Sequence, residues 1–124
     1  MSQEVKVREI EYLSRDAEEA LVYLTDGVYE CVAFCQPCEK MIGDVISQPL
    51  LAFETQGIAL CDAEVASIQR IGSTFGHSVC ARVKNDEVGL LEVGSILLEL
   101  DSPLPGGIET GCFVSFTCQR VDLF

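Results

Sequence analysis

The chain has 124 residues, the size of one domain, and its 48% hydrophobic content is too high for a disordered protein. Twenty acidic against eight basic residues give a net charge of −12, which repels phosphate backbones and anionic lipids. This charge argues against general nucleic-acid and membrane binding, and the ~20-residue apolar run of a membrane helix is absent. We therefore expect one globular domain over residues 1–124.

Four of the first nine residues are charged, in a region where a secretory signal would be apolar. The cysteines number seven, which is odd, and a chain of this length builds a core without disulfides. These two features predict a cytoplasmic protein with reduced thiols.

The first predicted elements are a short helix and a hairpin. Residues 14–20 are a helix candidate because they contain acids at the spacing of an N-terminal cap. Asp26-Gly27 then separates two runs rich in β-branched and aromatic residues, which predicts a two-residue hairpin turn. With that turn Thr25 pairs with Val28. Both faces of the two strands are largely apolar, so we expect cover on both sides or a position where the sheet curls over itself.

The middle of the chain gives weaker signals. Residues 45–46 and 50–54 are predicted strands, and Gln56-Gly57 is predicted to turn the chain into a further strand at 58–61. Residues 62–71 fit a short helix and an extended segment equally well. A loop that ends at His77 follows, and then a strand at 78–83.

The last third is dense in strand signals, at 88–93, 96–100 and 111–119. The final strand alternates cleanly until Arg120, where the apolar phase slips, and this predicts a β-bulge or a bend. Many short strands with little helix predict an all-β, mainly antiparallel fold. The expected form is a small Greek-key barrel with at most one or two short helices, and a β-sandwich is the alternative.

Two segments resemble strand entries of small Greek-key barrels of the OB type. They are Leu91-Glu92-Val93-Gly94-Ser95-Ile96 and Gly111-Cys112-Phe113-Val114-Ser115-Phe116. The hairpin at Asp26-Gly27 suits such a fold. The resemblance covers about half of the chain and implies an OB-like fold, from which no activity follows.

Cys35-Gln36-Pro37-Cys38 has the spacing of half a tetrahedral zinc site. A full site needs two more ligands, for which the candidates are Cys61, His77 and Cys80. A thioredoxin-like redox motif is disfavoured, since the segment is followed by more β-structure and not by a helix. The alternative is that the strand cysteines fill the core as small hydrophobic residues.

His77 is the single histidine and lies three residues before Cys80. A nucleophilic Cys–His pair also needs a third group to orient the imidazole, which this spacing does not provide. Paired carboxylates are frequent in so acidic a chain, so they indicate no particular reaction. We therefore expect neither an enzyme nor a cofactor.

An acidic surface without a catalytic constellation predicts a module that binds a basic protein partner. The most specific form is an inhibitor or immunity-type protein that covers the basic active site of a toxin or nuclease, with charge accelerating association. The acids expected to carry this binding are Asp16, Glu18, Glu19, Asp86, Glu87, Glu99 and Asp101.

Two alternatives stay open. An OB-type nucleic-acid binder uses aromatic side chains on a strand face beside a basic groove. Tyr12, Tyr23, Tyr29 and Phe34 are the candidate stacking surfaces, but the fold would have to gather the scattered basic residues on one face. The second alternative is a zinc-binding module that uses Cys35 and Cys38.

Overall fold

The computed structural model describes residues 3–124, which form ten β-strands and no helix. No helix in this part of the chain has the length and apolar character to cross a membrane. The strands are β1 (Val5–Ser14), β2 (Glu19–Thr25), β3 (Glu30–Cys35), β4 (Val45–Ile46), β5 (Leu50–Leu60), β6 (Ser67–Arg70), β7 (His77–Asn85), β8 (Leu90–Val93), β9 (Ile96–Leu100) and β10 (Phe113–Asp122).

All ten strands belong to one sheet, in the order β4-β1-β2-β3-β10-β5-β9-β8-β7-β6. An additional pairing between β10 and β7 closes five of them, β10, β5, β9, β8 and β7, into a barrel. Only β3–β10 and β5–β9 pair in parallel. The predicted small, mainly antiparallel all-β barrel is confirmed. The strands β4, β1, β2 and β3 extend the sheet outward from β10.

The predicted hairpin is present between β2 and β3, but its turn is longer than expected. Thr25 pairs with Glu30 and not with Val28. The cause is the Asp26 side chain, whose Oδ1 accepts the N–H groups of Val28 at 2.9 Å and Tyr29 at 2.8 Å. A register shift of two residues keeps the alternation of side chains, so each face retains the residues predicted for it.

Both faces of this hairpin are covered, as expected from their composition. Leu24, on the inner face, belongs to the main core of the protein. On the outer face Leu21 and Val32 are 2% and 7% exposed. Part of the outer cover comes from the segment after β6, where the Phe75 ring stacks on Phe34 with centroids 6.2 Å apart.

The helix predicted over residues 14–20 is absent. Residues 15–18 form the turn between β1 and β2, and Glu18 takes a φ of 56°, which a right-handed helix does not allow. β1 pairs with β2 from Lys6 opposite Thr25 to Ser14 opposite Glu19. Pairing with a neighbouring strand outweighs the local preference of a short polar segment.

The turn predicted at Gln56-Gly57 is a β-bulge inside β5. Gln56 pairs with Thr117 and Ala59 with Ser115, so two residues of β5 oppose one residue of β10. Gly57 supplies the positive φ, 69°, that this irregularity needs. The bulge bends β5, which lets one long strand follow the curvature of the barrel.

Of the bulge or bend predicted at Arg120, the bulge is wrong, because the pairing of β10 with β5 is regular there. Instead β10 changes its neighbour on the other side. Cys118 still pairs with His77 of β7, whereas Asp122 pairs with Phe34 of β3. The apolar phase slips because the end of β10 lies under the outer strands, so that residues 121–123 are all buried.

A buried carboxylate joins the outer strands to the barrel. Asp26 is 5% exposed, and its Oδ2 accepts the Ser95 N–H at 2.9 Å in the β8–β9 turn. Gly94 has a φ of 58°, and a Cβ there would lie 2.5 Å from Asp26 Oδ2, so this contact requires glycine. Burial pushes the pKa of Asp26 up, but three backbone N–H groups outweigh it and lower the pKa below its usual value.

Candidate functional site

The structure places the seven acids of the predicted binding surface in two regions. The first lies at and just after the β1–β2 turn, and the second at the β7–β8 turn and the end of β9. In the sheet, β3, β10 and β5 stand between β2 and β9. The first region holds Asp16, Glu18 and Glu19, and the second holds Asp86, Glu87, Glu99 and Asp101.

Three acids of the second region line one open cavity, which we call the acidic cleft. It has a volume of about 340 Å³ and is lined by residues 86–89 and 100–104. Asp86, Glu87 and Asp101 are its charged residues, and none of the nine lining residues is basic. Its walls are also partly apolar, since Val88 is 56% exposed and Leu104 is half-buried.

Asp101 is held by the irregular part of β5. Its Oδ2 accepts the Glu54 N–H at 2.6 Å, and its Oδ1 accepts the Thr55 hydroxyl at 2.8 Å. Desolvation raises the pKa of Asp101, but the bonds from Thr55 and Glu54 outweigh it and lower the pKa. Glu54 has a φ of 53°, so the Asp101 carboxylate accepts a backbone N–H at a strained position of β5.

Asp86 and Glu87 differ in the hydrogen bonds that their carboxylates make within the protein. Asp86 Oδ2 accepts the Thr110 N–H at 2.9 Å, and the Asp86 N–H donates to the Thr110 hydroxyl at 3.1 Å. These two bonds anchor the β9–β10 loop on the β7–β8 turn. Within residues 3–124 the Glu87 carboxylate makes no hydrogen bond or ion pair, so its charge is free for a ligand.

Glu99 does not line the acidic cleft. It is exposed in β9, opposite Leu90 of β8 and Leu51 of β5. Its carboxylate therefore lies on the barrel wall, outside the cavity that Asp101 lines.

Cys35 and Cys38 lie beside the first acidic region. The Cys38 N–H donates to the Glu18 carbonyl at 2.8 Å, and both cysteines are buried. Burial, and then the Cys38 thiol, raises the pKa of Cys35 to about 11, which disfavours the thiolate that a metal binds. Within residues 3–124 no three His, Cys, Asp or Glu side chains come together as a metal site.

His77 belongs to β7 and not to the preceding loop, and it is fully buried. Its Nε2 accepts the Val32 N–H at 3.1 Å, which places the proton of the neutral ring on Nδ1. In the part of the chain that is described, Nδ1 has no hydrogen-bond partner. Burial lowers the pKa of His77 to about 4, so the ring is neutral and serves as an acceptor for β3.

Aromatic and arginine side chains meet on the outer surface of β2, β3, β10 and β5. The Arg120 guanidinium lies 4.6 Å from the Phe34 ring centroid and 5.1 Å from that of Phe53. At the other end of this surface the Arg8 guanidinium lies 5.5 Å from the Tyr23 ring centroid, and Arg70 donates to the Tyr23 hydroxyl at 3.4 Å. The members of this aromatic–arginine face are Tyr23, Phe34, Phe53, Phe75, Arg8, Arg70 and Arg120.

Neighbouring oxygens already occupy the three arginines of this face. Arg8 pairs with Glu30, and Arg120 donates to both oxygens of Asp122, at 2.6 and 3.0 Å. Arg70 donates to the backbone carbonyls of the β6–β7 loop. The fold therefore gathers three basic side chains beside aromatic rings, but it does not leave them as free positive charge.

A second cavity, of about 300 Å³, lies between β4 and the β8–β9 turn. Its charged lining residues are Glu4, Lys84 and Glu92, and Lys84 Nζ lies 4.0 Å from a Glu92 oxygen. Because its acidic and basic groups partly cancel, this cavity has less charge selectivity than the acidic cleft.

Comparisons with known proteins give one partial similarity. Over 70 residues the chain is 36% identical to the 2,3-dihydroxyphenylpropionate/2,3-dihydroxicinnamic acid 1,2-dioxygenase of Rhodococcus globerulus. The aligned stretch covers 56% of this chain and 21% of the dioxygenase, so the chain spans about a fifth of the length of this relative. No protein-family model and no solved structure matches the chain. The similarity assigns no family to the chain.

The sequence did not indicate the contact of Arg120 with Phe34 and Phe53, nor a contact between Cys61 and Cys80. Both depend on which strands are neighbours across the sheet, and no local pattern carries that information. For Phe53 the sequence shows only an aromatic residue in a predicted strand, and its 38% exposure is seen only in the structure.

Proposed function

We propose that the protein is a binding module for a basic segment of a protein partner, and that the acidic cleft receives a lysine or arginine side chain. The observation that carries the proposal is the lining of this cleft, in which three acids stand beside exposed apolar surface without a compensating base. The net charge of −12 supports it, because the field of the whole chain favours a basic partner.

The acidic cleft suits both the alkyl stem and the cationic head of a long basic side chain. Arginine and lysine place an alkyl stem on apolar surface and a cationic head beside oxygens. Val88 supplies the apolar surface, and Glu87 supplies a carboxylate that the fold does not use. Asp86 and Asp101 are fixed by backbone N–H groups, so their remaining acceptor positions are preorganised.

A narrower form of the proposal is an inhibitor or immunity-type protein that covers the basic active site of a toxin or nuclease. Complementary charge would steer such a pair together and make association fast at low salt.

A direct test is the binding of a fluorescein-labelled arginine-rich peptide, measured by fluorescence anisotropy at low salt. Glu87→Gln should weaken binding by about two- to fivefold, the effect of losing one partly exposed ion pair. Glu64→Gln is the matched control, because it removes the same charge from an exposed position outside the cleft. Equal affinities of both variants, or no saturable binding of the peptide, would refute the proposal.

The aromatic–arginine face favours a second candidate function, the binding of single-stranded nucleic acid. Base stacking on aromatic rings is worth about 1–3 kcal/mol per base, and Phe53 is exposed enough to accept a base. The ion pairs of Arg8 and Arg120 and the net charge weaken this candidate. Anisotropy with a labelled oligo(dT) at low salt decides it. Binding that Phe53→Ala abolishes would support this function, and no binding by the unaltered protein would remove it.

A further inference from the structure

Two cysteine side chains meet at a place that neither proposed binding surface uses. Cys61 follows directly after β5, Cys80 lies in β7, and their Sγ atoms are 3.1 Å apart. The Cys80 thiol donates a hydrogen bond to the Cys61 sulfur, and the Cys61 thiol donates to the Ala63 carbonyl at 3.3 Å. The two sulfurs are already in contact, so only a small shift separates them from a covalent bond.

The two thiols differ in their access to solvent. Cys61 is half-buried, whereas Cys80 is 8% exposed and lies behind it. Burial, and then the hydrogen bond with Cys61, raises the pKa of Cys80 to about 11. A reagent in solution therefore reaches Cys61 first, and Cys80 is positioned to react with whatever bond forms on the Cys61 sulfur.

The other cysteines do not share this arrangement. Cys35 and Cys38 are neighbours, but both are buried, at 3% and 6% exposure. Cys112 is half-buried, and within residues 3–124 its thiol makes no hydrogen bond to another cysteine. An accessible thiol in contact with a second thiol therefore occurs, in this part of the chain, at Cys61.

We propose that Cys61 and Cys80 are a thiol–disulfide exchange site, which a small disulfide such as oxidised glutathione converts into an intramolecular disulfide. The Cys61 thiolate attacks one sulfur of the reagent, the reagent S–S bond breaks, and one glutathione leaves as its thiolate. Cys80 then loses its proton to solvent and attacks the Cys61 sulfur of the mixed disulfide, which releases the second glutathione thiolate. Two protein thiols are oxidised and give two protons to solvent, and the two released glutathione thiolates carry the two electrons and take up two protons, so that two molecules of reduced glutathione form.

The disulfide would close a loop that contains the edge strand β6 and residues 71–76. This loop covers the outer face of the β2–β3 hairpin through the Phe75–Phe34 stack and the Arg70–Tyr23 hydrogen bond. A crosslink lowers the entropy of the unfolded chain, so oxidation should raise the Tm and hold the cover on the hairpin.

The experiment is incubation of the folded protein with oxidised glutathione, followed by intact-mass measurement and peptide mapping. In the unaltered protein we expect a Cys61–Cys80 disulfide, with Cys112 as the one thiol that keeps a glutathione adduct. In Cys80→Ser the adduct should be trapped on Cys61, because the resolving thiol is gone. Cys112→Ser is the control and should form the Cys61–Cys80 disulfide as the unaltered protein does.

Thermal melting gives an independent readout. Oxidised protein should melt several degrees above reduced protein, and Cys61→Ser, which changes a half-buried position, should show no such difference. Three results would overturn the proposal: a stable glutathione adduct on Cys61 with Cys80 still reduced, a disulfide between other cysteines, or a Tm rise that persists in Cys61→Ser.

Discussion

Asp26 and Glu87 are both acids in turns of the same sheet, yet the fold uses them in opposite ways. Asp26 is 5% exposed and accepts three backbone N–H groups, one of them from the β8–β9 turn of the barrel. Glu87 is exposed, and within residues 3–124 its carboxylate has no partner. In a chain with a net charge of −12, acids are common, so a role follows from the donors around a carboxylate and not from its presence.

Asp101 lies between these two extremes. It is exposed and lines the acidic cleft, but it also accepts bonds from Glu54 and Thr55. The three residues form a series from structural to free carboxylate, and substitutions should follow the same order in their effect on stability.

The largest effect is expected for Asp26→Ala. It leaves three N–H groups without their acceptor, which should lower the free energy of unfolding by about 3 to 5 kcal/mol in urea titrations. Asp26→Asn keeps one acceptor oxygen and should lose less. Asp62→Ala, at an exposed loop position, is the control and should change stability by less than about 0.5 kcal/mol. An Asp26→Ala variant as stable as this control would show that the hydrogen bonds of Asp26 do not hold the outer strands on the barrel.

His77 should give the next largest effect, together with a pH dependence. Its pKa is about 4 in the folded protein and near 6.5 when unfolded, so the unfolded state takes up a proton first as the pH falls. The contribution of His77 to stability should therefore be constant well above pH 6.5 and fall by up to about 3 kcal/mol towards pH 4.

Two His77 variants separate packing from titration. His77→Leu leaves the Val32 N–H buried without an acceptor and should cost about 1 to 3 kcal/mol at pH 7. His77→Gln keeps an acceptor oxygen and cannot take up the proton, so its stability should not fall between pH 6.5 and 4. Protonation of Asp26 also lowers stability, but at a lower pH than His77 does. The folded pKa of Asp26 is lowered, so this loss occurs below the ordinary carboxyl pKa of 3.8. If the stability of His77→Gln fell between pH 6.5 and 4 by as much as that of the unaltered protein, the titrating group would not be His77.

Asp101→Asn should have a moderate effect, a loss of about 0.5 to 1.5 kcal/mol, since the amide replaces one of the two accepting oxygens. Glu99→Gln removes the same charge two residues earlier, in β9, without breaking a hydrogen bond, and we expect no measurable change. If both variants lose equally, the effect comes from net charge and not from the bonds to β5.

The smallest effect on stability is expected for Glu87→Gln, within about 0.5 kcal/mol of the unaltered protein. Its reduced affinity for a basic peptide should therefore appear in a fully folded protein, as the circular dichroism spectrum and Tm would show. A large loss of stability would mean that Glu87 has a structural role, which would weaken its assignment to binding.

The fold was predictable where local patterns decide it. Alternation of apolar residues and the Asp26-Gly27 turn predicted strands and a barrel, which the structure confirms. The longer β2–β3 turn was not predictable, because it depends on which N–H groups the Asp26 side chain accepts. The bulge at Gly57 and the change of neighbour along β10 depend on barrel curvature, which no window of the sequence contains.

The candidate site was predictable only in its residue types. Excess acid predicted carboxylates as the binding groups, but it did not show that Asp86, Glu87 and Asp101 share a cavity while Glu99 does not. The turn at residues 86–89 and the segment 100–104 are brought together by the pairing of β8 with β9. The pairing of these strands is a property of the tertiary structure. The sequence therefore could not show which of the exposed acids share one cavity.

The most direct test of the proposed function is an NMR titration of ¹⁵N-labelled protein with an unlabelled arginine-rich peptide. We predict saturable shifts of the backbone amides at residues 86–89 and 100–104, with the outer strands β1 to β4 little changed. Shifts spread over all exposed acids, or concentrated on the aromatic–arginine face, would contradict the assignment of the acidic cleft as the binding site.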